Sequence, residues 1–144
     1  MSGQAESDIL TFRLADRLRT ERDVLVAYLF GSAARGRSGS LSDVDVAVLF
    51  AEGASFGTRH LELIDAVTEV VGSERADVVV LNEAPAALAY RVLKHGRAIV
   101  VRDERARLDH WCRTVETYLD MEPIRRRIEE GLRHRLQEGR FGRP

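Results

Sequence analysis

A single cysteine, Cys112, excludes an internal disulfide and the paired-thiol zinc patterns. Its place in an apolar stripe gives it the reading of a core residue. No stretch approaches the roughly 20 apolar residues of a membrane span. The amino-terminal MSGQAESDIL has neither a basic n-region nor an apolar h-region. The expected location is therefore cytoplasmic, with no membrane partner. Charge of one sign is also lacking: the formal net charge is -1 and the pI about 6.4. Bulk electrostatics give no support to nucleic-acid binding, so any polyanion must be held locally. Internal repeats, low-complexity runs and interdomain linkers are absent, and lysine is nearly so, with Lys94 alone among the 22 basic residues. That last bias has no functional reading.

What is present suits one soluble domain: 144 residues, 44% hydrophobic and 31% charged. Ile9, Phe12, Ala15 and Leu18 follow Asp8 at helical spacing and predict an amphipathic helix over 8–20 with Asp8 as its N-cap. VLVAYLF (24–30) reads as a buried strand, GSAARGRSGS (31–40) as a tight loop and DVDVAVLF (43–50) as a second strand. Leu61, Ile64, Val67 and Val71 predict a helix over 56–71, and ADVVVLN (76–82) a third strand. A helix from Pro85 to His95, stopped by Gly96 as its C′ residue, precedes an edge strand at 97–102. Leu108, Trp111, Cys112, Val115, Tyr118 and Leu119 share one helical face, read as core. Beyond Pro123 the set Ile124, Ile128, Leu132 and Leu136 continues at a spacing of four. The fold class is α/β (α+β), a small sheet flanked by helices, with a carboxy-terminal helical extension. The strand order is not readable.

Asp43 and Asp45, two apart on a strand, project from one face a few ångströms from each other. Carboxylates so close repel or share a proton unless a cation intervenes, and Mg²⁺ prefers one or two carboxylates together with phosphate oxygens. A surface strand alternating acidic and apolar residues is the competing reading of any D-x-D. The preceding loop favours the metal site. Gly31 lets backbone N–H groups approach a phosphate chain, and the Ser32 hydroxyl adds a donor. Arg35, Arg37, Gly36 and Gly39 suit an anion cradle and equally a plain turn with solvated arginines. With no Walker lysine the loop is not a P-loop.

Gly31-Ser32, ten residues, then Asp43-Val44-Asp45 resembles the signature of the DNA polymerase β nucleotidyltransferase superfamily. The fuller string GSAARG…SDVDVAV is most similar to its minimal nucleotidyltransferase (MNT) members. DVVVLNEAP with YRVLKHGRAIVVRD extends the likeness, over roughly residues 24–120, to MntA-type antitoxin adenylyltransferases. The resemblance implies a polymerase-β-like fold with a mixed sheet, a nucleotidyltransferase domain over 1–103 and a helical extension over 104–144. It implies that Asp77, opening DVVVLN, is the third carboxylate, and that Asp43, Asp45 and Asp77 are catalytic and hold two Mg²⁺ ions. Gly31, Ser32 and Arg35 are the nucleotide-binding positions. ATP is the implied donor and a tyrosine of a cognate HEPN ribonuclease toxin the implied acceptor.

Two rivals stand beside it. An aminoglycoside-type nucleotidyltransferase shares the site chemistry but brings a sizeable second domain, and only about 40 residues follow position 102 here. A non-catalytic antitoxin that merely covers its partner has no use for three mutually repelling carboxylates. Arg105 with His110, and Arg127 with His134, fit the R-x(4–6)-H pattern of HEPN ribonucleases but read as surface or packing residues. His60 and His95 read as solvent-facing. Seven arginines against four glutamates in 121–144 read first as a solvated helix face, and secondarily as a surface for an acidic partner.

Overall fold

A computed structural model describes residues 2–31, 44–72 and 76–139. Nine elements follow one another: α1 (Ser2–Arg19), β1 (Val24–Phe30), β2 (Val44–Phe50), α2 (Phe56–Val71), β3 (Ala76–Val80), α3 (Ala86–His95), β4 (Arg97–Val101), α4 (Glu104–Asp120) and α5 (Glu122–Gln137). The strands form one mixed sheet in the order β3-β2-β1-β4. β1 runs antiparallel to β2 and to β4, whereas β2 and β3 are parallel. A parallel pair needs a crossover, and α2 supplies it.

Strand alternation sorts the apolar residues onto two faces. Val46, Val48 and Phe50 of β2 join Val78 and Val80 of β3 beneath α1 and α2, where Leu14, Leu18, Leu63 and Val67 complete the larger core. Tyr28, Ala47 and Leu49 occupy the other face, against Ala89 and Val92 of α3 and Ala106 of α4. The core residues of α1 to α3 lie at helical spacing and point at the sheet.

Three polar devices lock the strand ends. Asn82 extends the β2–β3 pairing with its side chain, accepting from the Phe50 N–H at 2.8 Å and donating to the Phe50 carbonyl at 3.0 Å. His60 of α2 meets the Val78 carbonyl on edge strand β3 at 2.6 Å, so it is half-buried and bonded rather than solvent-facing. Arg59 grips Asp23 through two bonds of 2.7 Å and Glu21 through one of 2.8 Å, also pairs with Glu62, and lies over the Phe50 ring. These bonds hold its guanidinium charged well above its ordinary range, although burial opposes them. Burial pushes the Glu21 carboxyl up, but hydrogen bonds from Arg17 and Arg59 prevail and hold it low.

Several sequence expectations need correction. α1 starts six residues before 8, so Asp8 is not its cap but sits inside it, accepting from Gln4. Its buried side is Ser7, Leu14, Ala15 and Leu18, while Ile9 and Phe12 face outward; two apolar rows compete on that helix and the sheet takes the one through Leu14 and Leu18. Leu61 of α2 is likewise exposed, the helix turning Leu63, Ala66 and Val67 inward. Gly96 follows α3 as expected but is extended, with φ -79°. It is needed for space: a Cβ there would collide with the Val92 carbonyl oxygen and sit 3.4 Å from the Leu29 carbonyl oxygen.

The larger correction concerns α4. Its inward residues are Ala106, His110 and Thr114, while Leu108, Trp111 and Leu119 lie outside, and Cys112 is exposed rather than core. Small and polar residues let α4 approach α3 closely, which a row of large apolar side chains would prevent. α5 begins after a break at Met121, beside Pro123, and buries no residue. Arg125 stacks over Tyr118, whose ring lies 3.9 Å from that of Tyr90, so an Arg–Tyr–Tyr pile joins α5, α4 and α3.

Candidate active site

β1 ends at Phe30, whose register partner on β2 is Asp45. Asp45 is in turn the partner of Asp77 across the parallel β2–β3 pair. Neighbouring strands lie about 4.8 Å apart, so the two carboxylates stand side by side. Alternation places both on the α3 and α4 face, at the amino ends of their strands, with Val44, Val46 and Val78 turned into the opposite core. Asp45 is half-buried and Asp77 exposed. An exposed carboxylate on an edge strand can be reached by a large molecule.

Gly31 closes the arrangement. Its φ is +77°, a left-handed conformation that side chains disfavour. A Cβ built there would run into Oδ2 of Asp45 and lie 3.4 Å from its Cγ. The backbone of Gly31 therefore passes directly beneath the Asp45 carboxylate, which only the residue without a side chain permits.

Of the six positions singled out from the sequence, Gly31, Asp45 and Asp77 fall within the described residues and come together. Asp43, Ser32 and Arg35 lie outside them. Among the described residues no group of three His, Cys, Asp or Glu side chains could by itself hold a metal ion. Asp45 and Asp77 contribute only hard carboxylate oxygens, a donor set that suits Mg²⁺ and not a soft metal. Deeper on the same face, Tyr28 is buried, which pushes its phenol up against the opposing pull of Arg107.

The polymerase beta nucleotidyltransferase family model matches residues 13–105, nearly two thirds of the sequence. The chain belongs to that family. A chain of a toxin–antitoxin crystal structure with AMP-PNP superposes with a TM-score of 0.72 at 24% identity, covering 85% of this chain and 97% of that one. The tri-AMPylated Shewanella oneidensis HEPN toxin in complex with MNT antitoxin contains a chain matching with 0.70 at 22% identity, over 88% and 98%. A MntA–HepT toxin–antitoxin structure gives 0.69 at 21%, over 87% and 97%. At such identities the likeness speaks for the fold. No curated protein sequence matches. Among the described residues, no helix of this nucleotidyltransferase is long and apolar enough to cross a membrane.

Sequence reasoning missed a second concave feature. A cleft of about 400 Å³ opens at the far ends of β2 and β3, among Leu49, Leu81, Asn82, His110, Arg113 and Thr114. On α4, His110 and Thr114 look like a solvent face when only apolar spacing is read. The R-x(4–6)-H reading of Arg105 and His110 as surface or packing residues resolves to packing for His110, which is 8% exposed.

Proposed function

We propose that this nucleotidyltransferase is the antitoxin of a toxin–antitoxin pair, transferring AMP from ATP to a tyrosine hydroxyl of a HEPN ribonuclease and silencing it. The observation that carries the chemistry is the pairing of Asp45 with Asp77 beside Gly31, whose missing side chain makes room for the Asp45 carboxylate, and a glycine backbone so placed suits the close approach of a phosphate chain. The toxin as acceptor is supported by the company of similar folds, which come from toxin–antitoxin structures, one with AMP-PNP and one holding a tri-AMPylated HEPN toxin. It is supported also by the exposure of Asp77 on edge strand β3, since a macromolecular acceptor needs an open site.

Asp43, Asp45 and Asp77 would hold Mg²⁺, which when bound neutralises phosphate charge and lowers the pKa of the acceptor hydroxyl. Gly31 and Ser32 position the triphosphate, with Arg35 as a further anion contact. The tyrosine oxygen bonds the α-phosphorus, the bond from that phosphorus to the oxygen bridging the β-phosphate breaks, and pyrophosphate leaves. The hydroxyl proton passes to Asp77 as general base. Residues 1–103 carry this chemistry and residues 104–144 form the extension.

The test is transfer itself. Protein incubated with α-labelled ATP, Mg²⁺ and a lysate of its source cells should label one protein band, with an added adenosine monophosphate on tyrosine by mass spectrometry. Asp77→Asn should lose the label by orders of magnitude while ATP binding survives. A parent protein that marks no protein, yet still protects cells from its ribonuclease, would leave only the covering mode of neutralisation.

A further inference from the structure

The cleft at the far ends of β2 and β3 is separate from the carboxylates. Leu49 and Leu81 each lie four residues beyond Asp45 and Asp77, about 13 Å along the strands at roughly 3.3 Å per residue. Phe56 joins Leu49 and Leu81 in an apolar floor, and among the described residues no carboxylate lines the walls.

The polar lining is rich in donors that have little else to bind. Arg113 has no ion pair among the described residues and only a weak bond to the Asp109 carbonyl at 3.4 Å. His110 is more than nine-tenths buried, its Nδ1 has no close hydrogen-bond partner among the described residues although the Leu81 backbone also acts on the ring, and its Nε2 lies 3.4 Å from the Thr114 hydroxyl. Thr117 adds a second hydroxyl one turn on. The opposite wall is the amino end of α3. Pro85 gives that helix no side-chain cap, its first turn contains no acidic residue, and Ala86 and Ala89 face the cleft. Uncapped N–H groups carry partial positive charge and attract oxyanions. Asn82 is consumed by Phe50 and serves as a rigid wall.

We propose that this cleft is a second binding site, for a small molecule joining an apolar body to a carboxylate or phosphate group. The oxyanion sits between Arg113, His110 and the amino end of α3, with the threonine hydroxyls as further donors, and the apolar body rests on Leu49, Phe56 and Leu81. A volume of about 400 Å³ suits a metabolite rather than a bare ion.

Nuclear magnetic resonance titrations with inorganic phosphate, acetate and benzoate test this on the intact chain. Saturable shifts of the His110 ring and the Thr114 and Thr117 methyls are expected, with benzoate binding more tightly than acetate because of the apolar floor. Arg113→Gln, at an exposed position, should weaken each ligand about tenfold, the loss of one charge-assisted contact. Thr117→Val should weaken them less, and Asp77→Asn not at all. The Gly31 amide reports on the transfer site. Shifts centred on Gly31 and indifferent to Arg113→Gln would place the anions at the transfer site and overturn the proposal. Shifts that grow linearly without saturating would overturn it too.

Discussion

Replacing Gly31 by alanine should separate backbone strain from disturbance of the site. The residue sits at φ +77°, and Gly53 and Gly72 share that region at +87° and +72°. A left-handed alanine costs about 1–2 kcal/mol, so all three Gly→Ala variants should lose that much. At roughly 4 °C per kcal/mol for a chain of this size, each melting temperature falls by about 4–8 °C. Space distinguishes them. A Cβ on Gly53 or Gly72 meets nothing within 4 Å, whereas on Gly31 it strikes Oδ2 of Asp45. A carboxylate oxygen at the end of a side chain can swing aside at small cost in stability, but it then leaves the position next to Asp77. Displacing a reacting or ligating group by about 1 Å costs on the order of a hundredfold in rate. Gly31→Ala should therefore match Gly53→Ala in urea denaturation and fall about a hundredfold below it in nucleotidyl transfer. Equal transfer by the two variants would refute the packing of Gly31 against Asp45 as a functional constraint. A Gly31→Ala protein several kcal/mol less stable than Gly53→Ala would show instead that Asp45 cannot move.

Arg59→Gln removes the fork that joins Asp23, Glu21 and Glu62 and should cost about 2 kcal/mol, read from urea denaturation. Arg59→Lys should recover less than half, because an ammonium cannot span both Asp23 oxygens; full recovery would reduce the cluster to simple charge attraction. His110 gives a pH signature: burial first, then the Arg113 charge, hold its imidazole below the ordinary 6.5. The unfolded chain then takes up a proton below pH 6.5 that the folded chain refuses, so stability is full above 6.5 and declines as the pH falls through that value. Denaturation at pH 7.5 and 5.5 should show the decline, and His110→Gln should flatten it. A parent equally stable at both pH values would contradict the assignment.

The sheet was legible because its strands are short β-branched runs bounded by glycine and polar residues, a local signal. Asp45 and Asp77 could be named from one motif and a resemblance, but their adjacency depends on β3 joining β2 in parallel, which no local pattern encodes. Helix faces were less legible. α1 has two apolar rows, and only the tertiary choice of Leu14 and Leu18 over Ile9 and Phe12 decides between them. On α4 the apolar row predicted core, yet the sheet side selected Ala106, His110 and Thr114, because close approach to α3 rewards small side chains over large ones. Gly96 does follow α3, but crowding against the Val92 and Leu29 carbonyls, a tertiary matter, is what requires glycine there.

The parallel partnership of β2 and β3 also sets when, during folding, the chain can become active. The antiparallel β1–β2 pair should form before β3 docks, and it carries Asp45 without its neighbour on β3. Asp77 arrives only after α2 has been laid across the sheet and the strand beyond it has docked, a non-local and slower event. The two carboxylates thus become neighbours only in a chain that has completed its crossover. A copy in which β3 has not docked should therefore lack the carboxylate pair, and any lesion that frees edge strand β3, such as loss of the His60 or Asn82 bonds, should silence transfer before it melts the remainder of the domain.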